Sequence, residues 1–220
     1  MNMVHTPLRE TATDLEREMS ERVAVFVDGS NFYHACRENL GRTGVDLGAF
    51  STWLVGVDRS LVRTYYYNCP LPPDEPEQKR TAQQRFFGAL ARAPYLEVRL
   101  GRLSPTDVYC PACGTTVRRY VEKGVDMRIG VDMLSLASRG LFDVAVLVSG
   151  DGDLAEAVRA VKELGKHVEL AALPKGRSWE LVQAADLVRE ITPADMQPFM
   201  LSAAAAVGPV SGARTTQGHS

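Results

Sequence analysis

Four aspartates carry the chemistry open to this chain: Asp28 in VFVDGSN, Asp126 in EKGVD, and Asp151 and Asp153 in LVSGDGD. Asp28 ends an apolar run, Val23 to Val27, and the Asp151/Asp153 pair follows another, Val144 to Val148. Residues just past the C-terminal ends of parallel strands gather at one edge of an α/β sheet, where ligands bind. Carboxylates crowded there repel one another and need a cation. An all-oxygen ligand set selects hard ions such as Mg²⁺ or Mn²⁺. Held against a phosphodiester, one or two such ions activate a water and neutralise the phosphate. The expected chemistry is therefore hydrolysis of phosphodiester bonds, with RNA as the substrate.

The neighbours of the four acids suggest further roles. Gly29 allows a tight turn after Asp28, and a helix starting near Asn31, capped by Ser30, would aim its first amides at an anion. Asn31 is placed to hydrogen-bond a carboxylate, a metal-bound water or the scissile phosphate. Ser149 offers a hydroxyl to metal or phosphate. Asp126 opens a helix on which Asp132, six residues on, lies about 240° further round. The two cannot both point into one site, so Asp132 is assigned a supporting part. The expected metal ligands are Asp28, Asp126, Asp151 and Asp153. Asn31 joins them as catalytic, and Ser149, Lys123, Arg118 and Arg119 are expected on the substrate. Each acid also has a plainer reading as a helix cap or first-turn charge; the position of Asp28 and of the Asp151/Asp153 pair after strands favours the metal.

Elements that would hold these residues can be read from the apolar pattern. Strands are expected at 22–28, 61–67, 95–103, 142–148, 167–173 and 187–191, the first unbroken in its apolar run, as for a strand buried on both faces. Helices are expected at 31–40, from Asp46 to about 55, and at 77–92, 125–138, 154–164 and 178–185. Alternating strands and helices predict an α/β fold of three layers with a mostly parallel sheet. Residues 1–20 form an N-terminal arm, 21–195 the domain, and 196–220 a flexible tail with few groups to bury.

Bulk composition narrows the partners. The 220 residues carry a net charge of −2, with 45% hydrophobic and 24% charged residues, as in ordinary globular proteins. Residues 78–128, however, hold ten Lys or Arg and four acids, a net +6 beside the acidic motifs. A polyanion substrate calls for such a surface. No apolar stretch reaches the roughly 20 residues of a membrane span. A basic region followed by an apolar core is missing at the N-terminus, so a cytoplasmic location and reduced thiols are expected.

Cys110 and Cys113, in CPACG, sit within an expected β-hairpin insert at about 104–121. This is half of a zinc pattern, and no second pair exists in the chain. A zinc held there within one chain, or shared between two, ranks below a plain tight turn with two thiols. Tyr65, Tyr66 and Tyr67 end a strand near the site edge and are read as core. No histidine is assigned a role.

The segments VFVDGSNFY, EKGVDMRIGVDML and VAVLVSGDGDL, in this order and spacing, resemble the NYN domains of the PIN-like nuclease superfamily, the LabA-like group most of all. The resemblance covers about residues 22–191. It implies a PIN-like α/β/α sandwich and a Mg²⁺- or Mn²⁺-dependent endoribonuclease site. On this chain that site comprises Asp28, Asn31, Asp126, Asp151 and Asp153. Leu154 stands where the family usually has an aromatic, a change that touches packing. A catalytically inactive RNA- or protein-binding adaptor with the same fold is the rival. A small-molecule phosphatase fits less well, because D-G-S follows the first strand where such enzymes want D-x-D. Homodimers are common among PIN-like proteins, and one is possible here.

Overall fold

The computed structural model describes residues 20–201. All of the expected arm but Ser20, and most of the expected tail, lie outside these residues. Six strands form one sheet in the order β3-β2-β1-β6-β7-β8, and every neighbouring pair is parallel. The strands are β1 (Glu21–Asp28), β2 (Arg59–Asn68), β3 (Leu96–Leu100), β6 (Val144–Val148), β7 (His167–Ala172) and β8 (Leu187–Glu190). Between β3 and β6 runs a two-stranded antiparallel ribbon, β4 (Arg102–Tyr109) and β5 (Thr116–Lys123).

The central strand shows why the sheet needs helices on both sides. Val23, Val25 and Val27 join one core, and Ala24 and Phe26 join the other. This alternation follows from the period-2 pleat, and both faces being apolar removes any polar stripe from the sequence. The first core is closed by α1 (Gly29–Leu40), α2 (Leu47–Val55) and α3 (Glu77–Leu90), through Phe32, Phe50, Leu54 and Phe87. The second is closed by α4 (Val125–Ser138), α5 (Ala155–Glu163) and α6 (Trp179–Ala184), through Ile129, Met133, Val158 and Leu181. The result is the three-layer α/β sandwich that the alternating pattern predicts.

From β1 the chain steps outward to β2 and β3, then returns and steps the other way through β6, β7 and β8. The order reverses between β1 and β6, and such a switch point leaves a crevice at the strand C-termini. Asp28 and Ser149 stand on its two walls.

Three departures from expectation bear on the site and the core. Helix α1 starts at Gly29, capped not by Ser30 but by Asp28, whose Oδ1 accepts from the Asn31 amide at 3.1 Å. Strand β1 runs straight into the helix, so its last residue is the one free to cap. The third strand stops at Leu100, where the Gly101 amide makes the last bond to β2, to the Asn68 carbonyl at 2.8 Å, and the ribbon begins one residue later. Residues 196–201, drawn into the tail, belong to the packed body. A last helical turn, α7 (Pro193–Met196), is capped by Thr192, and Phe199 packs edge-on to Phe50 at 5.6 Å and tilted on Trp53. Apolar residues at 196 and 199–201 find a groove beside α2 that periodicity alone does not reveal.

Candidate metal centre

Asp28 is fully buried, which is unusual for a carboxylate and needs compensation. Two donors supply it: the Asn31 amide on Oδ1 at 3.1 Å and the Ser149 hydroxyl on Oδ2 at 3.1 Å. The same Ser149 hydroxyl accepts from the Asp151 amide at 3.1 Å. One side chain thereby fixes the acid at the end of β1 and the loop that carries the acid after β6. Asn31 adds a second tie, its Oδ1 accepting from the Gly150 amide at 2.8 Å.

The third acid arrives from the ribbon side. Gly124 takes a left-handed φ of 85°, which lets β5 turn directly into α4 and places Asp126 in the first helical turn. Asp28, Asp126 and Asp151 each offer an oxygen, and these oxygens lie within 4.8 Å of one another. At that separation and an effective dielectric of about 20, each pair of charges repels by about 3.5 kcal/mol. A divalent ion reverses the sign of that energy. Cis and trans oxygens on one octahedral Mg²⁺ at about 2.1 Å lie about 3.0–4.2 Å apart. Modest side-chain rotation brings the three acids onto one ion, so the donor set and spacing fit a hard divalent cation.

Asp153 falls outside this group. It is exposed, within the single 3₁₀ turn Gly152–Leu154 that Asp151 caps, and its amide donates to Asp151 Oδ1 at 3.2 Å. Residues two apart in a helical turn face different directions. Spacing that suggests a pair of ligands thus places one acid in the cluster and the other at its rim. Ser149, expected on the substrate, is 3% exposed and committed to Asp28 and Asp151. It orients the acids instead. Replacement of Ser149 by alanine is expected to weaken metal affinity about 10–100-fold, as for other groups that orient ligands. Calorimetric titration with Mn²⁺ reads this, alongside circular dichroism to show that the fold is kept.

Asp132 belongs to a separate network. It accepts from the Tyr67 hydroxyl at 3.1 Å and pairs with Arg99, and Arg99 lies over the Tyr65 ring at 4.3 Å. Burial first, and then the Asp132 charge, raise the Tyr67 hydroxyl far above its usual range, so it stays a donor. The network ties β2 and β3 to α4, and thus holds the helix that carries Asp126. Arg118 and Arg119 are successive residues of β5 and face opposite sides of the ribbon. Arg118 is paired with Asp107 at 3.1 Å, and Lys123 stands exposed two residues before the helix.

A cation that the sequence reading leaves aside is Lys175. It is exposed and lines a crevice with Asn31, Ser149 and Gly150. Its signal in the sequence is only that it follows the C-terminal end of β7, in Pro174-Lys175-Gly176. Among the described residues, no helix is long and apolar enough to cross a membrane.

The family model described as NYN domain matches residues 22–192. Among solved structures, the chain is similar to a protein of unknown function from Vibrio parahaemolyticus, with 25% identity and a TM-score of 0.58. The match covers 83% of this chain and 97% of that one. No curated protein matches.

Proposed function

The chain belongs to the NYN domain family, and from that premise we propose that it is a divalent-metal-dependent ribonuclease. The observation that carries this reading is the convergence of Asp28, Asp126 and Asp151 at the switch point of the sheet. An all-carboxylate set favours Mg²⁺ or Mn²⁺ over softer ions. A bound ion of this kind would lower the pKa of a water and neutralise charge on the phosphate.

The residues of the chain hold and orient. Asp28, Asp126 and Asp151 bind the ion, and Ser149 and Asn31 keep the two loops in register. Asp153, at the rim, faces the solvent side from which a substrate enters. Lys123, Lys175 and one of Arg118 or Arg119 bind backbone phosphates, which makes affinity fall with salt. The expected action is internal cleavage, in the cytoplasm.

The test is cleavage of end-labelled RNAs with Mg²⁺ or Mn²⁺, and with Asp151→Asn run alongside. Cleavage that requires the metal and is lost in the variant supports the assignment. RNA retained on a filter with no cleavage under either metal would replace it with a binding adaptor.

A further inference from the structure

Beyond Leu103 at its base, which packs on the second core, the ribbon of β4 and β5 is largely uncovered. Val108 and Val117 are cross-strand partners on one face, 43% and 51% exposed, and Val121 on the same face is 45% exposed. Two-stranded ribbons are marginal in water by themselves. Arg102, Arg119 and Lys123 share that face, so it is not an apolar seam, and a staple at the tip would hold the ribbon.

The tip shows what staples it. The turn is closed by two backbone hydrogen bonds, Cys110 amide to Thr115 carbonyl and Gly114 amide to Cys110 carbonyl, both at 2.8 Å. Gly114 takes a φ of 70°, which sends the chain back after Cys113. Cys110 is half-buried and Cys113 exposed, with its sulfur 2.9 Å from the Thr115 hydroxyl. The turn thus presents both thiols at the projecting tip, three residues apart, the spacing of half a metal knuckle.

Two thiolates are half of a tetrahedral sulfur site. Among the described residues, the one group of three or more metal-ligating side chains is the carboxylate triad, so no third donor stands near these thiols. We propose that a zinc ion joins two copies of this chain, held by Cys110 and Cys113 of each. A two-fold axis through the tips supplies four sulfurs from two identical tips. Sequence alone ranks this below a plain turn because it offers one pair of cysteines. The structure puts that pair at a projecting tip, where a second pair can reach it.

The experiment is a Co²⁺ titration of the reduced full chain, followed by near-ultraviolet absorption and by light scattering. Sulfur-to-cobalt charge-transfer absorption is expected to saturate at one ion for two chains, with the mass doubling in step. Carboxylates give no such band, so the readout is independent of the triad and of RNA cleavage. Cys110→Ser combined with Cys113→Ser should lose both the band and the dimer. Their thermal midpoint, measured without metal, should match that of the unaltered chain. Three results would overturn the proposal: no band with micromolar Co²⁺, saturation at one ion per monomeric chain, or a dimer that forms equally in the double variant.

Discussion

Asp28→Asn is expected to lower metal-dependent RNA cleavage about 10³-fold while leaving the metal-free protein at least as stable as before. The loss follows from removing one charge from a site that holds an ion by three. Several kcal/mol of transition-state stabilisation pass through that ion, at 1.36 kcal/mol per tenfold in rate. The retained stability follows from what else Asp28 does. As a helix cap, asparagine is equal to aspartate, and its Oδ1 can still accept from the Asn31 amide. Its amide group can donate to Ser149, whose hydroxyl accepts as well as donates. Without metal, one charge fewer also relieves repulsion from Asp126 and Asp151. Thermal melts with and without Mn²⁺ complete the test. The ion should raise the midpoint of the unaltered chain by mass action and leave the variant unmoved. A variant that still cleaves RNA, or one that unfolds, would remove Asp28 from the proposed site.

Gly29→Ala should cost about 3 kcal/mol, the upper end for overpacking a core. A methyl group built at Gly29 meets Tyr66 Cζ at 2.3 Å and the Tyr67 carbonyl oxygen at 2.6 Å. Neither can move aside. Tyr66 is 1% exposed and its hydroxyl accepts from Asn68 at 2.9 Å, while the carbonyl belongs to β2. Relief requires α1 to lift from the sheet, which also displaces Asp28. For a domain of this size the midpoint should fall by about 6–12 °C, as scanning calorimetry would show. An unchanged midpoint would mean that the start of α1 yields easily, and that its place against β2 does not fix the site.

Much of this was open to a reading of the sequence, and the reason is physical. The runs at 23–27 and 144–148 announce themselves because both faces of the central strands are buried, and Asp28 and Asp151 follow them directly. The NYN-like segments lie on those same strand ends, so fold and family were legible together. Other features depend on contacts that no local pattern carries. Ser149 reaches Asp28 across 121 residues, and nothing in SGDGD distinguishes an orienting hydroxyl from a turn residue. Asp153 looks equal to Asp151 until the 3₁₀ turn separates their directions. Phe199 reads as tail until Phe50 and Trp53 are seen to form its groove.

The separation between Asp28 and Ser149 also bears on biosynthesis. Strand β1 leaves the ribosome early, yet its right-hand neighbour β6 is made 121 residues later. At about 5–20 residues per second, that interval lasts about 6–24 s. Throughout it, Asp28 lacks both the Ser149 hydroxyl that bonds it and the Asp151 carboxylate that stands beside it. A nascent chain therefore carries no assembled centre until β6 has emerged and paired. The order of the strands delays assembly of the carboxylate cluster until translation of the domain is nearly done.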